Sequence, residues 1–182
     1  IYRWPDRADV AEEINAWWLA NQQAGRTTVL LAYSLGKAQR VLRMLDPSIG
    51  PIAVHGAIPK LSAVYTKHGI DLPEALHANT DTADAIKGQG SIVCPPSASS
   101  GPWLRRFAGS GGTRIAMASG WMRVRGRRRW QSLDHGFVLS DHADWDGLLR
   151  TIADTGAARV GLTHGSAETM ARYLNETGRA DA

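Results

Sequence analysis

Residues 28–42 read TVLLAYSLGKAQRVL, and this stretch indicates the class of fold. Its first six residues are largely apolar and rich in residues that favour strands, which is typical of a strand covered on both faces. A tight turn at Ser34–Gly36 follows. Apolar residues then recur at helical spacing, at Leu35, Ala38, Val41, Leu42 and Leu45. The stretch therefore predicts a strand, a turn and a helix, which is the repeating unit of a parallel sheet.

The same alternation continues along the chain. Further strands are predicted at 52–54, 91–94, 114–118, 136–139 and 159–162. Helices are predicted at 6–23, 60–67, 103–107, 145–154 and 166–177, whereas the polar segment 71–90 is ambiguous and contains at most one short helix. Repeated strand–helix units predict an α/β fold with a mostly parallel sheet flanked by helices, in which ligands gather at the carboxyl ends of the strands.

Length and composition exclude several classes of protein. A chain of 182 residues is expected to form one domain, or one domain with part of a neighbour. Its 43% hydrophobic and 21% charged residues exclude a disordered tail and a fibrous repeat. The single cysteine, Cys94, excludes an internal disulfide and a multi-thiolate zinc site. No apolar run approaches the roughly 18 residues of a membrane span. The first residues lack an initiator methionine and a signal peptide, so we expect a cytoplasmic location and a piece of a longer protein.

The positive charge of the chain is concentrated in one segment. Residues 105–129 contain eight arginines and no acidic residue, whereas the rest of the chain carries 13 basic and 17 acidic side chains. Trp121 and Trp130 flank the densest part. Arginine suits phosphate oxygens and indole rings stack on bases, so this segment is a candidate nucleic-acid-binding patch, the alternative being a solvated loop. Its candidate residues are Arg123, Arg125, Arg127, Arg128 and Arg129.

Two turns that follow strands are candidate phosphate sites. The turn at Ser34–Lys37 lacks the first glycine and the magnesium-binding hydroxyl of a nucleotide-triphosphate loop, because Leu31 and Ala38 stand there. Ser34 and Gly36 are nevertheless predicted to hold one phosphate, through free backbone N–H groups at the start of a helix. Ser119 and Gly120 follow a later strand in the same way. The alternative for both is an ordinary turn.

Two histidines follow consecutive predicted strands. His142 lies between Asp141 and Asp144, and His164 precedes Gly165. An imidazole can ligate zinc or transfer a proton near neutral pH, and a neighbouring carboxylate can orient the ring. Two histidines alone are fewer than the ligands that zinc needs, and each taken singly is more often structural. The other histidines are predicted to be surface or helix-end residues: His55, His68, His77 and His135.

Four motifs together carry a family resemblance. They are YSLGKAQR at 33–40, ASGWM at 118–122, SDHAD at 140–144 and LTHG at 162–165. Over essentially the whole chain, their order and spacing resemble the later half of a β-CASP metallo-β-lactamase-fold nuclease, in particular the bacterial ligase-associated DNA exonuclease family. The resemblance implies a β-CASP domain at 1–133 and, at 134–182, the C-terminal returning segment of a metallo-β-lactamase domain.

The resemblance also implies roles for individual residues. His142 matches a histidine that contacts the scissile phosphate and acts as a general acid, with Asp144 orienting it. His164 matches a zinc ligand, and Ser119 and Gly120 match a loop near the substrate phosphate. The family's His-x-His-x-Asp-His signature does not occur in this sequence, so most ligands of the two zinc ions of the intact parent are missing here. We therefore expect the chain alone to be inactive and to hold zinc weakly or not at all.

Two classes of function follow from these observations. The first is the C-terminal part of a zinc-dependent nuclease that acts on DNA rather than RNA and is functionally linked to a DNA ligase. An RNA-processing nuclease of the same fold is an alternative within this class. The second is a non-catalytic nucleic-acid-binding module. No membrane partner is expected. If strands of the lactamase fold are left unpaired, copies of the chain are also expected to associate through them.

Overall fold

The computed structural model describes residues 1–124 and 133–178. They fall into two compact units, Trp4–Asp141, here called the sheet unit, and a helical unit formed by Ile1–Arg3 with His142–Ala182. None of the helices in these two ranges combines the length and apolar character needed to cross a membrane.

The sheet unit is an α/β structure built on six parallel strands. Its strands are β1 Thr27–Leu31, β2 Ile52–Val54, β3 Leu76–His77, β4 Ser91–Cys94, β5 Thr113–Ala118 and β6 His135–Phe137. Its helices are α1 Arg7–Gln23, α2 Lys37–Met44, α3 Pro59–Lys67, α4 Ala83–Ile86 and α5 Pro102–Arg105, with 3-10 turns at Pro96–Ala98 and Gly120–Arg123. The strand order is β3-β2-β4-β1-β5-β6, which confirms the predicted α/β class with a parallel sheet flanked by helices.

Strand β1 lies in the middle of the sheet and is buried along its whole length. Leu31 is in register with Cys94 on β4 and with Met117 on β5. The loop after β1 leads towards β2 on one side, whereas the loop after β5 leads to β6 on the other. Since these two loops diverge, the carboxyl ends of β1 and β5 form a switch point of the kind at which α/β sheets bind ligands.

Alternation along the strands produces a core on each face of the sheet. Leu30 points into one core, which α1 and α2 cover, and Val29 points into the other, which α4 and α5 cover. Asp6 caps α1 by accepting from the backbone N–H of Ala8 at 2.7 Å. The helix then buries Trp18, whose indole donates to the carbonyl of Gln89 at 2.9 Å. Because both faces of the central strands are covered, their near-continuous apolar sequence is explained.

The helical unit contains α6 Trp145–Thr155 and α7 Ala167–Thr177. Leu149, Met170 and Leu174 are its buried hydrophobic cluster. The Trp145 ring packs edge-on against Tyr173 at 5.0 Å between centroids. A cavity of about 380 Å³ lies between these helices and Arg3.

Two strand predictions differ from the structure. The predicted strand 159–162 is wrong: only Arg159 makes a bridge, and the following residues are irregular. The strand predicted at 136–139 is His135–Phe137 instead. Leu139 lies outside the ladder, and its carbonyl accepts from Lys37 Nζ at 3.2 Å. The ambiguous segment 71–90 contains the short strand β3 as well as α4.

Candidate functional site

The turn between β1 and α2 is fixed by the side chain of Gln39. Its Oε1 accepts from the N–H of Gly36 at 2.8 Å, and its Nε2 donates to the carbonyl of Ser34 at 3.0 Å. Nε2 also lies 3.2 Å from Ser62 Oγ on α3. Gly36 has φ +79°, a conformation that strongly favours glycine. The buried amide of Gln39 therefore holds the turn in one shape.

The backbone N–H groups of this turn have partners within the chain. Gly36 donates to Gln39, while Lys37 and Ala38 donate to the carbonyls of Leu35 and Tyr33, each at 3.0 Å. The expectation of free N–H groups at these three positions is therefore wrong. Phosphate binding by Ser34 and Gly36 stays a prediction, and any such contact would have to use other donors or follow a rearrangement of the turn.

Two cations on α2 hold the loop that follows β6. Lys37 is buried, and its Nζ lies 3.2 Å from the carbonyl of Leu139 and 3.3 Å from Asp141 Oδ2. Arg40 Nη1 donates to the carbonyl of Ser140 at 2.6 Å and lies 3.4 Å from Asp141 Oδ1. A buried ammonium is costly unless it is paired and hydrogen-bonded, and this loop supplies both kinds of partner. Helix α2 and the loop 139–141, far apart in the chain, are thereby tied together within the sheet unit.

Sequence reasoning missed Lys37, Arg40 and Asp141 as a group. A signal was present, because Lys37 lies one helical turn before the core residue Val41 and so falls on the buried face of α2. A lysine at such a position requires a partner. The identity of that partner, more than 100 residues away in the chain, had no local signal.

Ser119 and Gly120 lie at the carboxyl end of β5, next to the loop after β6. Ser119 is buried; its N–H donates to the carbonyl of Phe137 at 3.0 Å, and its Oγ accepts from the N–H of Trp121 at 3.3 Å. A Cβ on Gly120 would lie 3.1 Å from the Cβ of Ser140. Close packing against Ser140 thus explains this glycine, and its predicted phosphate role remains a prediction.

Arginine residues of the basic segment are described only in part. Arg123 is exposed at the end of the 3-10 turn that Ser119 caps. The remaining candidates lie outside the described residues: Arg125, Arg127, Arg128 and Arg129.

His142 and Asp144 begin the main part of the helical unit. His142 is exposed, and Asp144 caps α6, with its Oδ1 accepting from the N–H of Gly147 at 2.8 Å. A capping carboxylate fixes the start of the helix, and typically contributes about 1 kcal/mol to stability. The predicted orientation of His142 by Asp144 remains a prediction beside this capping role.

His164 has an unusual backbone conformation. Its φ is +66°, and among the described residues it is the one non-glycine residue with positive φ. Gly165 follows with φ +62°. Histidine tolerates this region better than most residues, but the conformation still carries strain, which is found preferentially at functional sites. The exposed ring is therefore placed by an energetically unfavourable turn rather than by a strand.

The described residues do not complete a zinc site. Within residues 1–124 and 133–178, no three histidine, cysteine or carboxylate side chains are grouped so as to hold a metal ion. The donor types of His142 and His164 suit zinc, but two donors are fewer than a stable site requires.

The remaining histidines differ in their environments. His135 lies in β6 rather than at a helix end; it is partly exposed, stacks on Trp17 at 5.7 Å and lies 2.9 Å from Glu13 Oε1. His55 follows β2 and meets the edge of Trp103 at 5.0 Å. Partial burial lowers the pKa of His55, with a smaller contribution from the charge of His77 on β3. His68 ends α3, as predicted.

The chain is similar to one segment of a longer protein. No family model matches the chain. A protein of Opitutus terrae named "Probable DNA ligase" is 33% identical to it over 177 residues, which cover 97% of this chain. The chain spans only 17% of the length of that relative. The similarity thus concerns one segment of a much longer protein.

Proposed function

We propose that this chain is the C-terminal part of a metal-dependent nuclease that hydrolyses phosphodiester bonds in DNA. The observation that carries the proposal is the link made by Lys37 and Arg40. It joins the turn after β1 to the segment that leads directly into His142. Motifs far apart in the chain are thereby tied together at the edge of the sheet where α/β proteins bind ligands.

The proposal assigns different chemistry to the two histidines. His142 donates a proton to the leaving oxygen and contacts the scissile phosphate, whereas His164 is a zinc ligand. Zinc, if held by His164 and ligands from elsewhere in the complete protein, would supply an activated water and compensate charge on the phosphate oxygens. Since the described residues offer two histidine donors, the proposal requires further ligands from elsewhere in the complete protein.

DNA is favoured over RNA as the substrate. The Opitutus terrae relative carries the name of a DNA ligase, and this chain corresponds to one segment of it. A nuclease in the same protein as a ligase, or acting beside one, would trim DNA ends before they are joined. An exonuclease of the β-CASP metallo-β-lactamase fold, as the motifs suggest, suits that task.

The test uses the complete protein on end-labelled DNA and RNA, single- and double-stranded, with zinc, manganese or chelator. We expect metal-dependent cleavage of DNA. General acid catalysis is worth about 10²–10⁴-fold, so His142→Ala should slow cleavage by that factor while the metal content stays constant. His164→Ala should lower both the rate of cleavage and the metal content. His68→Ala, which removes another exposed histidine, is the matched control.

A non-catalytic nucleic-acid-binding module is the second candidate function. The observation that favours it is the exposed Arg123 beside the exposed Trp121, in a segment without acidic residues. Under this alternative, the complete protein would bind oligonucleotides with strong salt dependence, but none of the metal conditions would produce cleavage. Cleavage that His142→Ala abolishes would exclude the alternative.

A further inference from the structure

Large apolar side chains are exposed at the carboxyl ends of β1 and β5. Tyr33 and Leu35 follow β1 and are 59% and 63% exposed, and Trp121 follows β5 and is 59% exposed. The ends of these strands are otherwise tightly packed, since Leu31 and Ala118 are buried. Aromatic rings exposed to this extent lose the benefit of burial, which suggests that a ligand covers them.

The two rings belong to one edge of the sheet. Strands β1 and β5 are parallel neighbours, with Leu31 in register with Met117. Tyr33 lies two residues beyond Leu31, and Trp121 lies four residues beyond Met117. Neighbouring strands are about 4.8 Å apart, so both aromatic residues are presented on adjacent loops at the switch point of the sheet.

The backbone that carries each ring is held by hydrogen bonds. The carbonyl of Tyr33 accepts from the N–H of Ala38 at 3.0 Å, at the start of α2. The N–H of Trp121 donates to Ser119 Oγ at 3.3 Å, and Ser119 is itself tied to Phe137 on β6. The rings therefore extend from well-defined turns, so a ligand would meet a largely preorganised surface.

Arg123, exposed two residues after Trp121, indicates the kind of ligand. It belongs to the sequence segment 105–129, which has eight arginines and no acidic residue. Aromatic rings beside an exposed arginine are a combination that binds single-stranded nucleic acid, because bases stack on the rings while phosphates meet the cation. A duplex offers its bases already stacked on each other, and a purely apolar partner would not need the arginines.

We propose that Tyr33 and Trp121 form a stacking platform for unpaired bases of a DNA strand. The inference rests on the proposed function and deepens it, because it specifies a single-stranded segment as the form of substrate at this edge. A strand end that frays onto the platform would be bound in preference to a fully paired end. Leu35 is a further exposed apolar side chain on the same turn as Tyr33.

The test is equilibrium binding of the complete protein to a fluorescent oligothymidylate of about 12 nucleotides, in chelator so that no cleavage occurs. Stacking on one base changes affinity by about 5- to 150-fold, so Tyr33→Ser and Trp121→Ser should each weaken binding within that range. Tyr33→Phe should retain wild-type affinity because the ring is kept. Leu19→Ser, at an exposed apolar position on α1, is the matched control and should have no effect.

An abasic oligonucleotide of the same length separates stacking from charge. It should bind the wild type and both serine variants equally, because phosphates remain and bases are gone. The inference would be overturned if Tyr33→Ser and Trp121→Ser bound oligothymidylate as tightly as the wild type. If the two variants instead lost only binding to a DNA ligase, the platform would be assigned to a protein partner. Metal-dependent cleavage without platform-dependent binding refutes this inference alone; platform-dependent binding without cleavage refutes the proposed nuclease.

Discussion

The sheet unit and the helical unit place their candidate residues in different ways. In the sheet unit, buried strands with a core on each face end in turns that hydrogen bonds fix, such as those of Gln39 and Ser119. In the helical unit, three buried residues hold two helices together, and His164 lies in a strained turn. The candidate binding residues of the sheet unit are therefore held by a larger core than the two histidines of the helical unit.

The first prediction concerns the core of the sheet unit. Trp18 is fully buried against the sheet, and its indole is hydrogen-bonded to Gln89. Trp18→Ala leaves a large cavity and should lower the free energy of unfolding by about 3–5 kcal/mol. Denaturant unfolding followed by circular dichroism measures the loss, with the exposed neighbour Leu19→Ala as the control. Equal stability of the two variants would contradict the two-core description.

A smaller loss is expected in the helical unit. Leu174 is buried between α6 and α7, in a cluster that has few other members. Leu174→Ala should cost about 2 kcal/mol, the low end for such changes, because a small cluster can partly collapse around the gap. Hydrogen exchange should accelerate in α6 and α7 and stay unchanged in β1 and β4. Equal acceleration in all four elements would show that the two units unfold together.

Much of the fold could be predicted because its signals are local. The apolar runs of β2 and β4 and the aspartate cap of α1 specify these elements directly. Strand β3 was missed because it is two exposed residues long and carries no apolar pattern. The predicted strand at 159–162 has an apolar pattern, but among the described residues it joins no ladder beyond the bridge at Arg159.

The candidate site was less predictable because its contacts are distant in sequence. Ser34, Ser119 and His142 could be chosen because they follow strands or stand out chemically. The role of Lys37 depends on a loop that only the fold brings to it. The partners of the N–H groups in the β1–α2 turn were likewise not foreseen: Gly36 donates to the side chain of Gln39, and Lys37 and Ala38 donate to backbone carbonyls.

A third prediction tests the link between Lys37 on α2 and Asp141 in the loop after β6. Lys37→Met removes the buried ammonium and leaves Arg40 as the remaining partner of Asp141 in the link. Asp141 is partly exposed, so solvent screens the pair, and we expect a loss of roughly 1–2 kcal/mol. Hydrogen exchange in the loop 139–141 should rise selectively. Lys67→Met, at an exposed lysine on α3, is the control, and unchanged exchange in the loop would show that Lys37 does not hold it.

The smallest effect is expected where the first residues of the chain meet α6. The N–H of Trp145 donates to the carbonyl of Tyr2 at 3.0 Å, and Arg3 contacts both carboxylate oxygens of Asp146 at 2.6 and 3.2 Å. Hydrogen bonding and charge from Arg3 lower the pKa of Asp146, against a smaller opposing effect of burial, and Arg150 adds a minor contribution. The ion pair is exposed, so salt should weaken it.

Because the pKa of Asp146 is lowered in the folded protein, the ion pair stabilises the helical unit above the pKa of an unfolded aspartate. That contribution is lost as the pH falls through the lowered pKa. Arg3→Gln should therefore raise the pKa of Asp146 towards its ordinary value, and Arg150→Gln should raise it less. Carboxyl NMR titration of the three proteins at low and high salt measures this order. If the pKa of Asp146 were unchanged in Arg3→Gln, the ion pair would not hold Ile1–Arg3 to the helical unit. The helical unit would then consist of the residues from His142 onwards.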